Sequence, residues 1–484
     1  MKKNKKFISY KQYIISLVCV AVIASGGAYK LAEMTYEKER HQFEAAFPHA
    51  AELKKFNTSY EAIRQQYVGD YKKEELVDGA IKGMTSALSD PFTDYVDGKD
   101  LTDLNTTISG SFDGIGATMT LENEQPIIAE PPIKGSPAEK ARLEAHDIIL
   151  KIDGKETKGQ ILSEIIEKIR GKKGSELTLT MQRGADIFDV TLERDSIVID
   201  SVTTEIDKDH KDIGIISISH FSETTAKELK AGVKGLRKQG AKGFVIDVRH
   251  NPGGLLDQVA IMSSMFLEDK KTIVKFENKE KDKETWVAGK ELDNGFKVTE
   301  PTVVLVDGNS ASASEIFAAA LNESADVPIV GKKTFGKGTV QSVQPLSEDS
   351  DLKLTTNKWL TPKGTWIHKK GIKPTIEADY PSYAYLAPID KGTVYSLGMV
   401  APVIKNINGI LSGLDYEVEP DTEEYTDSTL EAVKSFQQAN DLEMTGEIDA
   451  LTANALEAHL AKKISENDNA YKKSVSEVLL LMKK

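Results

Sequence analysis

From about residue 196 onward, short apolar runs alternate with amphipathic stretches, and no other feature restricts the possible folds as tightly. The runs DIGIISISHF, GFVIDVRH, TVVLVD, VPIVGKK and LKLTTNKWLTP read as strands. Between them, ETTAKELKAGVKGLRKQG and ASEIFAAALNE carry apolar residues at helical spacing, and the first ends at Gly240. A helix between consecutive apolar strands makes βαβ units, so the expected core is a largely parallel sheet covered by helices. The whole chain has 484 residues, 40% of them hydrophobic, which is enough for three or four domains around separate cores.

Charge and cysteine content remove several function classes. The net charge is −13, although the first 30 residues carry six lysines and no acid, so the body is more acidic still. An acidic body argues against nucleic acid as the main partner. The single cysteine, Cys19, excludes an internal disulfide and a thiolate metal site. The eight histidines are scattered without an HExxH pattern, which argues against a zinc enzyme. Cys19 follows Val18 where a lipoprotein site wants a small residue. The basic MKKNKKFISYKQ precedes an apolar run from Tyr13 to Tyr29. It reads as a single-pass membrane anchor or a cleaved signal peptide, with the body outside the cytoplasm.

The expected organisation is a membrane anchor or signal segment at 1–30, a helical region at 31–95, a Gly-turn and strand-rich domain at 96–195, the α/β core at 196–385, a small helical module at 395–462 and a terminal helix at 463–484. In the second region Leu76, Ala80, Met84 and Leu88 follow one helix face until Asp90-Pro91. In the third, Ser136-Pro137 starts a helix and Asp153-Gly154 marks a hairpin. The small module shows two short helices around the stripe Leu430, Val433 and Phe436.

Chemistry concentrates in DGNSASASEIFAAAL, where Ser310, Ser312 and Ser314 precede an Ala-rich helix. A serine needs a neighbouring base to become a nucleophile. His220 and His250 lie near the strand ends, but no triad motif such as GxSxG is present. Lys337 in TFGKGTVQSV is the other candidate base, drawn at the start of a strand so that Gln341 shares its face. To act, its amine must be desolvated enough to lose its proton, and the flanking glycines would permit close packing. In DVRHNPGGLL a glycine turn follows a strand, where backbone N–H groups can face a developing oxyanion. By local rules Ser312-x-x-Glu315 is a capping box, with Ser314 or backbone geometry left to serve the helix end if Ser312 reacts.

Three strings carry a family resemblance. The first is GIGA with GSPAEKARLEAHDIILKIDGK and IRGKKGS, which resembles a circularly permuted PDZ domain. The second is AVKSFQQANDLEMTGEIDALT, which resembles a peptidoglycan-binding-type module. The third is LVDGAIKGMTSALSDPFTDYV, DVRHNPGGLL, SASASEI and TFGKGTVQ in that order. Together they resemble the carboxyl-terminal processing peptidases over about residues 60–380. The resemblance implies a crotonase/Clp-like α/β protease core with an inserted PDZ domain, an N-terminal helical region and a C-terminal helical module. It implies a serine endopeptidase with Ser312 as nucleophile, Lys337 as base and Gln341 as helper. It places the oxyanion donors at Ala313 and Gly254, with Gly253 as second choice, and it implies no metal or other cofactor. Gly114, Ile115 and Gly116 would hold a peptide's C-terminal carboxylate. Arg170 would touch that peptide or a neighbouring domain, or only complement its own helix end. The expected partners are proteins or peptides with exposed C-termini, the membrane, the cell wall and a second copy of the chain. A membrane-tethered PDZ and wall-binding scaffold without catalysis is the competing reading.

Overall fold

The computed structural model describes residues 50–484, so the basic and apolar N-terminal segment lies outside the described residues. Among the described residues no helix is long and apolar enough to cross a membrane. The chain forms two compact units, one up to Gly83 and one from Met84. The described part of the first contains the helix Ala50–Gln66 and most of the helix Lys73–Ser86.

The second unit is built on a six-stranded sheet ordered Val202–Ile206, Ile213–Ile218, Gly243–Asp247, Thr302–Val306, Ile329–Gly331 and Ile376–Glu377. Only the first pair is antiparallel; the others are parallel, as the strand–helix alternation predicts. Side chains alternate across a strand, and both faces here are apolar. Ile216, Phe244, Ile246, Val304 and Val306 share one core with the helices Thr225–Lys238, Leu256–Phe266 and Ala313–Ala325. Ile213, Ile215, Val245, Val303, Leu305 and Val330 face the other way, onto Ala470, Val475 and Val478 of the helix Asn469–Leu481. The terminal helix, whose purpose the sequence leaves open, therefore covers the second face of the sheet. A side chain on Gly243 would lie 2.4 Å from Val478, which shows how closely strand and helix approach.

A second, antiparallel sheet carries the Lys337 segment. In it Ser350–Leu360 pairs with Thr339–Pro345, Thr272–Glu277 and Asp94–Asp97. Residues Asp94–Asp97, which the sequence reading divides between the helical region and the PDZ-like stretch, thus form a strand of this sheet. The helix Gly98–Ser109 follows and leads into the PDZ fold.

The PDZ fold has a sheet running from Met119 to Glu193, a helix Leu162–Ile169 and its own core around Ile128, Ile149, Ile165 and Leu179. Ser136 Oγ accepts from Glu139 N–H and caps the short helix Pro137–Lys140, and Asp153-Gly154 turns the hairpin with both φ positive (47° and 77°). The C-terminal module has three helices around Phe436 and Leu456, not two. The addition is Pro402–Gly413, which starts with proline at its first turn.

Val478 is fully buried against the sheet, whereas Leu480 is 52% exposed. Val478→Asp is expected to cost about 3 kcal/mol or more in a urea titration, because it leaves a charge in an apolar interface. Leu480→Asp should stay within about 0.5 kcal/mol of the parent.

Candidate active site

The three serines are sorted by what their hydroxyls touch. Ser310 is fully buried, and its Oγ donates to Val248 O (2.8 Å). Ser314 is equally buried and its Oγ donates to Asn251 O (3.0 Å). Both hydroxyls hold the DVRHNPGG turn rather than facing solvent. Ser312 is half-buried and stands at the N-cap of Ala313–Ala325 with φ 55° and ψ −112°. A non-glycine residue pays for that conformation, and such strain is commonly kept where a reactive side chain must be presented.

The turn after Gly243–Asp247 lies against Ser312. A side chain on Gly253 would come 2.8 Å from Ser312 Cβ, and one on Gly254 would come 2.2 Å from Phe221 O. Only glycine fits at either position. Asn251 Oδ1 accepts the Gly253 N–H (2.8 Å), while Phe221 pairs with Gly253 O and Leu255 N. Among the described residues the N–H groups of Gly254 and Ala313 have no protein acceptor. Ala313 opens the helix, where the first N–H groups lack intrahelical partners and the dipole favours negative charge.

A residue that the sequence reading leaves as a cap joins the two reactive segments. Glu315 is fully buried and accepts four hydrogen bonds. Its Oε2 takes the N–H of Ser312 (2.9 Å) and the N–H of Lys337 (2.8 Å). Its Oε1 takes Thr334 Oγ1 (2.5 Å) and the N–H of Gly336 (2.7 Å). Burial pushes this carboxyl up while the four donors pull it down. The capping signature was visible in the sequence; its reach across to Thr334–Lys337 was not. Glu315, rather than Ser314, also serves the helix entry through the Ser312 N–H.

Lys337 does not lie on the strand where the sequence places it. The strand begins at Thr339, and a register shift between Val340 and Gln341 breaks the alternation that would align Lys337 with Gln341. Gln341 Nε2 instead donates to Thr339 Oγ1 (3.2 Å) and Thr355 Oγ1 (3.0 Å). The glycines do permit close packing, since side chains on Gly336 or Gly338 would strike the backbone of His368–Gly371. The Lys337 amine rests 4.7 Å from the centroid of the Phe92 ring and shares no hydrogen bond with Ser312. Burial, followed by the Lys353 charge, holds it below the usual lysine value, against weaker opposite pulls from Asp90 and Glu315.

The histidines are engaged elsewhere. His220 Nδ1 meets Ser219 Oγ, and His250 Nδ1 meets Asp307 (3.1 Å) and Asn309. In the PDZ fold Ile115 is buried, Gly116 has φ 75°, and the N–H groups of Ile115, Gly116 and Ala117 have no protein acceptor among the described residues. Arg170 caps Leu162–Ile169, while its guanidinium lies near Asp103 (3.7 Å) and over the Phe112 ring (5.1 Å). It thus contacts the helix Gly98–Ser109. No cluster of three or more metal-ligating side chains occurs among the described residues.

A strained serine beside N–H groups without a protein acceptor, and a buried lysine held to it by Glu315, are the parts a hydrolase of the serine class requires. The sequence matches Peptidase family S41 over residues 212–378 and a PDZ domain over 128–183. It also matches the activating protease CtpB N-terminal domain over 21–100 and a peptidoglycan binding domain over 401–456. It is 44% identical over 422 residues to the carboxy-terminal processing protease CtpA of Bacillus subtilis (strain 168), covering 87% of this chain and 89% of that one. It is 39% identical over 426 residues to a "Probable CtpA-like serine protease" of Staphylococcus aureus (strain MSSA476), covering 88% and 85%. Among solved structures, the photosystem II D1 C-terminal processing protease is 29% identical with a TM-score of 0.39, covering 66% of this chain and 85% of that one. The chain belongs to the carboxy-terminal processing proteases of peptidase family S41, and it is a serine protease.

Glu315→Gln replaces an acceptor oxygen with an NH2 group facing N–H donors. It is expected to lower kcat by about 10²-fold with KM little changed, since it misplaces reacting groups rather than removing them. Steady-state cleavage of a tailed peptide checks this.

Proposed function

We propose that this protease recognises the C-terminal tail of a protein through its PDZ domain and cleaves a peptide bond with Ser312 and Lys337. The observation that carries the reading is Glu315 Oε2, which holds the backbone of both residues at once. Neutral Lys337 takes the Ser312 proton, Ser312 Oγ attacks the scissile carbonyl carbon, and the oxyanion rests on Gly254 and Ala313 N–H. The lysine then gives its proton to the leaving amine as the C–N bond breaks. Water, deprotonated by the same amine, hydrolyses the acyl-enzyme. Gln341 is assigned to orienting the lysine, which requires it to leave Thr339 and Thr355. No metal or organic cofactor enters.

We further propose that tail binding draws the amine from Phe92 onto Ser312. A short route supports this. Ile199 N–H donates to Gly110 O and Glu223 N–H to Ile108 O where the PDZ fold joins the core. Gly110 packs on Ser222, the residue after Phe221, which holds the Gly253–Leu255 turn. The tail's carboxylate is assigned to Ile115, Gly116 and Ala117. The lysine-flanked apolar segment before residue 30 supports placing the body outside the cytoplasm, anchored or secreted, and the C-terminal module supports contact with cell wall. A homodimer fits the helical N-terminal region.

Ser312→Ala and Lys337→Ala are each expected to slow cleavage of a tailed protein by about 10⁴-fold or more. Retained cleavage in both would refute the dyad. The base must be neutral, so kcat/KM should rise with pH as Lys337 loses its proton, along a limb that burial and the Lys353 charge place below the ordinary lysine value of 10.5. Lys337→Arg, protonated throughout, should be inactive at every pH.

A further inference from the structure

A cavity of about 590 Å³ opens beside the Lys337 segment, and its lining includes Phe92, Gly336, Phe335, Trp366 and His368. Three of those rings form a fixed wall. Trp366 and His368 stack (centroids 5.3 Å apart, 12° between planes), and Phe92 meets His368 edge-on at 6.4 Å. Trp366 Nε1 donates to Gly338 O (2.8 Å), which ties the wall to the backbone next to Lys337. Phe335 is 56% exposed at the mouth. His368 Nδ1 is buried without a hydrogen-bond partner. The Asp90 carboxylate accepts from Phe92 N–H and Thr93 Oγ1 and bonds Thr355 across the cavity, and with Lys353 and Glu315 it is one of the charges acting on Lys337. At the rim Glu277 lies 3.8 Å from Lys358, whose amine sits over Trp366.

We propose that this ring-walled cavity is the subsite for the residue that follows the scissile bond, and that it selects a large apolar side chain there. The inference rests on the Ser312–Lys337 reading above. In that reaction Lys337 protonates the leaving amine, so the residue carrying the amine comes within hydrogen-bond reach of Nζ. The wall is tied to the backbone beside Lys337 through Gly338 O, so when Nζ leaves the Phe92 ring for Ser312 that residue's side chain takes the space vacated against the wall. The chemistry of the base decides what fits. An acidic side chain beside Nζ would stabilise the ammonium, and a basic one would be desolvated among Lys337, Lys358 and Lys369. An apolar side chain instead expels water from around the amine and favours its neutral form. Substrate would therefore complete the desolvation on which its own cleavage depends.

The test is a set of tailed peptides identical except for Gly, Ala, Leu, Phe, Lys or Asp after the scissile bond, with kcat/KM read by mass spectrometry. Leu and Phe are expected to exceed Gly by about tenfold or more, the range a hydrophobic pocket gives, with Lys and Asp below Gly. The acid limb of the pH profile should lie lower for Phe than for Gly. Phe335→Ala should flatten the preference, bringing the Leu and Phe peptides toward the Gly peptide. Phe335→Asp should raise the Lys peptide relative to the Asp peptide by about tenfold over the wild-type ratio, a charge-specific change that a merely structural role cannot produce. Equal rates for Gly and Phe, a preference unmoved by both Phe335 variants, or a preference that follows the residue before the scissile bond would each overturn the subsite. Cleavage surviving Lys337→Ala would overturn the dyad itself, so the two failures are distinguishable.

Discussion

One buried carboxylate sets the geometry on which the rest of the site depends. Ser312 opens a helix behind one strand of the parallel sheet, and Lys337 precedes a strand of the separate antiparallel sheet. Nothing in either element's local pattern requires them to meet. Glu315 brings them together by accepting backbone N–H groups from both on a single oxygen. A fully buried acid is costly unless every lone pair is used, and four donors use them. These bonds go to the backbone of Ser312 and Lys337 and take up neither the hydroxyl of the one nor the amine of the other.

The surrounding acids extend the same device to the strand ends. Gly243–Asp247 and Thr302–Val306 are parallel neighbours, and the loops leaving their C-terminal ends carry the candidate site, the usual position in an open α/β sheet. Asp307 accepts the N–H groups of His250, Asn309 and Ser310 and so fastens one loop to the other. Arg249 grips Asp247 on its own loop, stacks on Tyr380, and reaches Asp468 (2.6 Å) at the cap of the terminal helix. The residue that begins the covering helix on one face thus also braces the turn that offers Gly254 on the other side of the sheet.

Much of this was legible in the sequence, for identifiable reasons. Continuous apolar runs separated by amphipathic helices pointed to the parallel sheet, because burial on both faces writes itself into every strand residue. Ser136-Pro137 and Asp153-Gly154 were readable because caps and turns are local. Legibility ended where a contact is long-range or a strand is irregular. The pairing of Lys337 with Gln341 failed because the ladder slips after Val340. The Pro402–Gly413 helix was overlooked between more obvious neighbours, and Glu315 read as a cap because only the fold carries Thr334–Lys337 to it. The three serines, alike in the sequence, differ in what their hydroxyls touch, which only the fold decides. Ser310 and Ser314 spend their hydroxyls on the backbone of Val248 and Asn251, which leaves Ser312 as the strained and half-exposed member of the three.

The position of the Lys337 amine links these parts. Over the Phe92 ring it gains a cation–π contact that favours the charged form, while burial and Lys353 oppose that form. The amine is therefore held between two demands. Over the ring it shares no hydrogen bond with Ser312 and keeps a cation–π contact that works against the burial and the Lys353 charge that lower its pKa; off the ring that contact is lost and the neutral form gains. Whatever moves the side chain off Phe92 thus changes its reach and its basicity in the same step.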